Sequence, residues 1–138
     1  MKVIFFFFLL LGCNLFISCN DNDDPVAYEY HAHVMQPSSA DKHLGDILFI
    51  DVEFESHSGE KVEHINIKIH NKANTVVVYD KPDDPHVSQG SDYEFQDQFV
   101  LSTANGITVG DWVLEATVWG IDEGQEQVVE TVEFHVNP

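Results

Sequence analysis

The chain has 138 residues and is strongly acidic, with 24 acidic side chains, 6 basic ones and a formal net charge of −18. Nucleic-acid binding needs lysine and arginine to neutralise phosphates, so this composition excludes it, and it also excludes membrane adhesion through a basic patch. A charge of this sign favours cationic partners, divalent metal ions among them.

The chain opens with a predicted signal peptide, residues 1–18. After a basic second residue, an apolar run covers 3–11, and it is too short for a permanent membrane-spanning helix. Ser18 and Cys19 supply the small residue and the cysteine that a lipoprotein signal peptidase requires. Cys19 is therefore predicted to be the lipid-anchored first residue of the mature protein. Cys13 also follows a suitable Leu-Leu-Gly, but cleavage there would leave a very short signal.

The residues that follow the cleavage site set the expected location. No cysteine comes after Cys19, so the mature chain has no internal disulfide, and a lone cysteine at an exported N-terminus fits acylation. Residues 19–25 are the lipidated cysteine and an acidic tether without a large apolar side chain. Such a tether resembles the surface-export signal of Bacteroidota-type lipoproteins, with a plain spacer as the alternative. We expect a protein held in the outer membrane by lipid and exposed at the cell surface, with the periplasmic face as the alternative.

Residues 26–138 form a single domain by size, and their pattern is that of β-structure. Apolar and polar side chains alternate in short runs separated by turn residues, without a sustained helical period. Seven strands are predicted, at 26–36, 47–55, 62–70, 75–79, 93–101, 112–119 and 127–136. Strands of this number and length predict an immunoglobulin-like antiparallel β-sandwich, with a small open β-barrel as the alternative.

Four short segments resemble a family of small Bacteroidota lipoproteins with an immunoglobulin-like domain. They are His31-Ala32-His33, Asp41–Asp46, Glu63–Ile67 and Asp111–Ala116. This resemblance covers most of the mature chain and implies a fold and a location, but no activity. A weaker likeness, carried by the early His-Ala-His and a late Gly-Asp-Trp, is to periplasmic copper-resistance proteins of β-sandwich type. Here the His-Ala-His lies well inside the mature chain, so it cannot supply a copper ligand at the N-terminus.

All eight histidines lie in the mature domain, and their positions predict two clusters. His31 and His33 share one face of the first strand, since residues i and i+2 point the same way. With strands that run alternately up and down, one end of the sandwich gathers the main predicted metal ligands: His31, His33, His43, His70 and His135, with Asp41 and Asp46 as oxygen ligands. A weaker cluster at the other end comprises His57, His64 and His86. Imidazole with some carboxylate suits Zn²⁺, Cu²⁺ or Ni²⁺, and solvated histidines without metal are the alternative.

Motifs for catalysis are missing from the sequence, which has no G-x-S-x-G elbow, phosphate loop, dinucleotide fingerprint or nucleophilic cysteine. We therefore expect a non-catalytic binding module rather than an enzyme. Its ligand is predicted to be a transition metal such as Zn or Cu, or, in a second hypothesis, a glycan or a protein. Trp119, on the face opposite the predicted core residue Trp112, is a candidate for stacking on a sugar ring, with half-buried packing as the alternative.

Overall fold

The computed structural model describes four stretches of the chain: 30–57, 61–85, 92–120 and 127–138. The predicted signal peptide, the predicted lipidation site Cys19, the acidic tether and His86 lie outside these stretches. Within them, no helix is long and apolar enough to cross a membrane.

Eight strands account for most of the described residues. They are β1 (Tyr30–Gln36), β2 (Lys42–His43), β3 (Ile47–Ser56), β4 (His64–Asn71), β5 (Val77–Asp83), β6 (Asp92–Val100), β7 (Gly110–Trp119) and β8 (Val128–Asn137). One sheet has the order β1-β3-β6 and the other the order β2-β8-β7-β4-β5. This arrangement confirms the predicted immunoglobulin-like β-sandwich. The one departure from antiparallel pairing among these strands is the two-residue β2, which runs parallel to β8.

The core lies between the sheets because the apolar positions of each strand alternate with polar ones. The predicted inward positions of three strands are all buried: Leu48, Ile50, Val52 and Phe54 in β3, Ile65, Ile67 and Ile69 in β4, and Trp112, Leu114, Ala116 and Val118 in β7. Trp112 is 1 % exposed, and its indole N–H donates to the carbonyl oxygen of Thr108 at 2.9 Å. Burial of each large apolar side chain contributes about 1.5–3 kcal/mol, which holds the two sheets together without a disulfide.

The fourth predicted strand lies further along the chain than expected. The prediction placed it at 75–79, whereas β5 runs from Val77 to Asp83 and includes Lys81 and Pro82, which the prediction left outside any strand. Because β5 is an outer strand of its sheet, it tolerates a proline that a central strand would not.

Candidate functional site

The structure divides the five histidines of the main predicted metal site between the two sheets. His31 and His33 lie in the three-stranded sheet, and His43, His70 and His135 belong to the five-stranded sheet. His31 and His33 flank the buried Ala32, whereas His70 follows the buried Ile69 and His135 lies between the buried Phe134 and Val136. These two groups therefore point out of opposite faces of the sandwich. The strand directions used in the prediction fix the end at which a residue lies but not its face, so these five side chains do not form one site.

The three histidines of the five-stranded sheet each have a local polar neighbour. His135 Nδ1 lies 2.7 Å from Asp111 Oδ1, and His43 Nδ1 lies 4.0 Å from Asp46 Oδ2. His70 Nδ1 lies 3.4 Å from the carbonyl oxygen of the next residue. The hydrogen bond with His135 lowers the pKa of the Asp111 carboxyl below its ordinary value. The contacts of His135 and His43 with carboxylates are at the surface, so each contributes little to stability.

Three histidines taken from both predicted clusters come together on the outer face of the three-stranded sheet. The rings of His31 and His33 are nearly parallel with centroids 6.1 Å apart, and the rings of His31 and His57 are 4.4 Å apart. Glu55 Oε2 lies 2.9 Å from His57 Nε2 and 3.8 Å from His33 Nε2. We call His31, His33, His57 and Glu55 the imidazole cluster.

Strand register explains the imidazole cluster. His31 lies opposite Glu55 and His33 lies opposite Glu53 in the antiparallel pair β1–β3. His57 comes directly after the end of β3, so it reaches the ring of His31 across the sheet. The rings lie against one another in this arrangement. Across the described stretches, no three His, Cys, Asp or Glu side chains are already arranged to hold a metal ion.

His64, the other described residue of the second predicted cluster, lies elsewhere. His64 Nδ1 is 2.5 Å from Asp84 Oδ1, and its ring stacks on Trp119 with centroids 5.4 Å apart. His64 and Trp119 belong to the five-stranded sheet, whereas His57 lies with the three-stranded sheet. Trp119 is half-buried with this imidazole on its ring, which agrees with a packing role rather than an open sugar platform.

A groove between β3 and β6, which the sequence analysis missed, runs along the same outer face. A depression of about 630 Å³ is lined by Gln36, Phe49, Ile50, Asp51, Gln96, Asp97 and Gln98. A second depression, of about 390 Å³, shares Asp51 and continues along Glu53, Asp92, Tyr93 and Glu94 to Met35. We call these two depressions together the β3–β6 groove. Phe49 could have been noticed in the sequence, because it is an aromatic residue out of phase with the buried Leu48 and Ile50.

Two tyrosines join the sheets where β5 faces β6. Tyr79 OH donates to Asp97 Oδ2 at 2.6 Å, and Tyr93 OH donates to Asp83 Oδ2 at 2.9 Å. Burial, followed by the hydrogen bond to the carboxylate, raises the pKa of both phenols above the ordinary value. The hydrogen bond from Tyr79 in turn lowers the pKa of Asp97. These contacts join β5 to β6, and Asp97 and Tyr93 also line the β3–β6 groove.

Comparisons with known proteins bear on the fold. No protein-family model matches the chain, and no curated protein matches it significantly. The CARDB domain of the PF1109 protein from Pyrococcus furiosus, solved in complex with di-metal ions, is 10 % identical with a TM-score of 0.54, over 81 % of this chain and 90 % of that one. A Niemann-Pick type C2 protein from the Japanese carpenter ant is 10 % identical with a TM-score of 0.47, over 80 % and 91 %. A β-glucosidase from Listeria innocua is 12 % identical with a TM-score of 0.44, over 78 % of this chain and 16 % of the enzyme. The likeness to the CARDB domain supports the immunoglobulin-like sandwich and shows the fold alone.

Proposed function

We propose that the protein is a lipid-anchored, non-catalytic binding module that binds a divalent transition-metal ion, Zn²⁺ or Cu²⁺, at the imidazole cluster. The observation that carries this proposal is the contact of three imidazoles and one carboxylate on an exposed sheet face. The fold is compatible with a non-catalytic module. The anchor at Cys19 and the location in the outer membrane are supported by the sequence of the first 25 residues.

Ring separations in the imidazole cluster suit a shared metal ion. Zinc binds histidine nitrogen at about 2.0–2.1 Å with tetrahedral geometry, which places the ring centroids of two ligands about 5 Å apart. The observed separations from His31 to His33 and to His57, 6.1 and 4.4 Å, lie on either side of that value. Rotation of the side chains out of this stacked arrangement would turn ring nitrogens towards one point.

Solvent exposure allows these side chains to rotate, and the negative charge around them attracts a cation. The side chains of His33 and His57 are 50 % and 54 % exposed, so neither is locked by core packing. Glu55 already contacts both rings and supplies an anionic oxygen as a further ligand. The formal charge of −18 over the whole chain raises the local concentration of cations.

Thermal unfolding with added metal tests the proposal on the chain from Asn20 onward, which lacks the lipidated cysteine. Chelator-treated protein is titrated with Zn²⁺, Cu²⁺ and Ni²⁺. An ion that binds only the folded state stabilises that state by about 2.7 kcal/mol when the free ion concentration is one hundred times the Kd. We expect a saturable rise in Tm that is lost in the double variant His33→Ala/His57→Ala. The double variant His43→Ala/His135→Ala is the matched control, because it removes two surface histidines from the other sheet and should keep the rise.

Two outcomes of this titration would overturn metal binding at the cluster. One is no rise in Tm with any of the three ions. The other is the same rise in the His33→Ala/His57→Ala variant as in the wild type. The alternative expected from the sequence is binding of a glycan or a protein, and the β3–β6 groove offers another part of this face for it.

A further inference from the structure

We propose that the β3–β6 groove binds an uncharged oligosaccharide segment through Phe49 and the amide side chains around it. The Phe49 side chain lies 57 % exposed on the outer face of β3. Gln98 lies directly opposite it on β6, and Gln96 lies opposite Asp51. A bulge in β1 between Val34 and Gln36 shifts the register so that Gln36 also pairs with Asp51. Phe49 thus lines the first depression together with three amides and the carboxylates of Asp51 and Asp97.

The chemistry of this lining matches a sugar. The face of an aromatic ring packs against the C–H face of a pyranose, while polar groups around it fix the orientation of the ligand. Amide side chains both donate and accept hydrogen bonds, as sugar hydroxyls do, and carboxylates accept them. From Phe49 to Glu53 the groove follows β3 for about 13 Å, the length of a short oligosaccharide. The site therefore fits a stretch of a polysaccharide chain rather than one sugar unit.

The charge along the groove selects among glycans. Asp51, Glu53, Asp92 and Glu94 line its second depression, and the described lining contains no lysine or arginine. Uronate, sulfate or phosphate groups on a glycan would meet these carboxylates without a compensating cation, so acidic glycans are rejected. An uncharged glycan forms the same hydrogen bonds without that repulsion.

A second copy of the chain is a poorer occupant. Ile47 and Val100, paired beside Phe49, are exposed and would suit an apolar contact. Face-to-face pairing of two copies, however, would bring the carboxylates of one groove against those of the other. A stable protein interface also buries about 800 Å² per partner, which would have to include this charged half of the face. The observations therefore favour a glycan.

Affinity electrophoresis in native gels tests the proposal on the chain from Asn20 onward. The gels contain starch, xyloglucan, β-glucan or yeast mannan as uncharged polymers and polygalacturonate as the acidic one. We expect at least one uncharged polymer to retard the protein, and Phe49→Ala to weaken that retardation at least tenfold. Gln96→Ala should weaken it less. The matched control Val129→Ala, which truncates an exposed side chain of the five-stranded sheet, should leave retardation unchanged.

Three outcomes of this experiment would overturn the proposal. No retardation by any uncharged polymer, equal retardation of wild type and Phe49→Ala, or retardation by polygalacturonate alone would each do so. Analytical sedimentation of the same proteins tests the remaining alternative, a second copy of the chain in the groove. A wild type that dimerises and a Phe49→Ala variant that is monomeric would make the groove a contact between copies. The variant His33→Ala/His57→Ala should bind the polymer normally, so this test is independent of metal binding.

Discussion

The variant Tyr79→Phe removes one hydroxyl group from the contact between the sheets and tests what that contact contributes. Tyr79 belongs to β5 of one sheet, and its hydroxyl donates to Asp97 in β6 of the other at 2.6 Å. The tyrosine is 7 % exposed, and its ring meets Phe99 edge-on with centroids 5.4 Å apart. Phenylalanine keeps the ring and this packing, so the change removes the hydrogen bond alone.

The expected loss follows from the charge on the acceptor. A hydrogen bond to an ionised group contributes about 1.5–3 kcal/mol. The Asp97 side chain also accepts the backbone N–H of Gln98 at 2.7 Å, so one hydrogen bond to it remains. We therefore expect Tyr79→Phe to lower the free energy of unfolding by about 2 kcal/mol at pH 7.

The loss caused by Tyr79→Phe should also depend on pH. The hydrogen bond from Tyr79 holds the pKa of Asp97 below its ordinary value. A carboxyl whose pKa is lower in the folded state stabilises the fold above its unfolded pKa of about 3.9, and this contribution is lost as the pH falls through the folded pKa. The difference between wild type and Tyr79→Phe should therefore be full at pH 7 and should shrink below about pH 4.

Urea unfolding followed by tryptophan fluorescence measures both quantities, since Trp112 is buried in the core. Wild type, Tyr79→Phe, Asp97→Asn and the double variant form a cycle that isolates the pairwise energy. In the Asp97→Asn background, Tyr79→Phe should cost less than about 1 kcal/mol, because the charged acceptor is gone. A loss below about 0.5 kcal/mol at pH 7, or an equal loss at pH 7 and pH 3, would refute this reasoning.

Two further predictions concern a turn and Cys19. Gly106 has φ +85°, and a Cβ there would lie 3.0 Å from Val78 Cγ1, so Gly106→Ala should lower unfolding free energy by about 1–3 kcal/mol in urea. Gly45→Ala, at φ +100° with nothing within 4 Å, should cost less, and equal losses would contradict the role of the contact. In cells that express the full chain and are fed radiolabelled palmitate, the wild type should carry the label on an autoradiograph of the gel and Cys19→Ser should not. An unlabelled wild type, or a labelled Cys19→Ser variant, would contradict lipid attachment at Cys19.

Most of the fold could be predicted from the sequence because alternation along a strand is a local property. In β3, the run from Leu48 to Phe54 places every second side chain in the core, as expected. The prediction failed where position in the sheet decides the outcome. Pro82 excludes a central strand but not an outer one, and nothing near it in the sequence shows which kind of strand it occupies.

The candidate sites were less predictable because they depend on register and on the facing of strands. The spacing of His31 and His33 places them on one face, and the structure agrees. Their neighbours Glu55 and His57 come from another strand, and only the β1–β3 pairing brings them within reach. The groove at Phe49 likewise needs β6 beside β3, which the order of strands in the sequence does not reveal.

The proline in β5 has a consequence for copies of the protein that lie close together. A strand with an unpaired edge can add a strand from another chain, and this is a common start of aggregation. Pro82 cannot donate a backbone hydrogen bond, and Asp80, Lys81 and Asp83 place charges along the same exposed strand. Copies at high local concentration can therefore touch along β5 without joining into a continuous sheet.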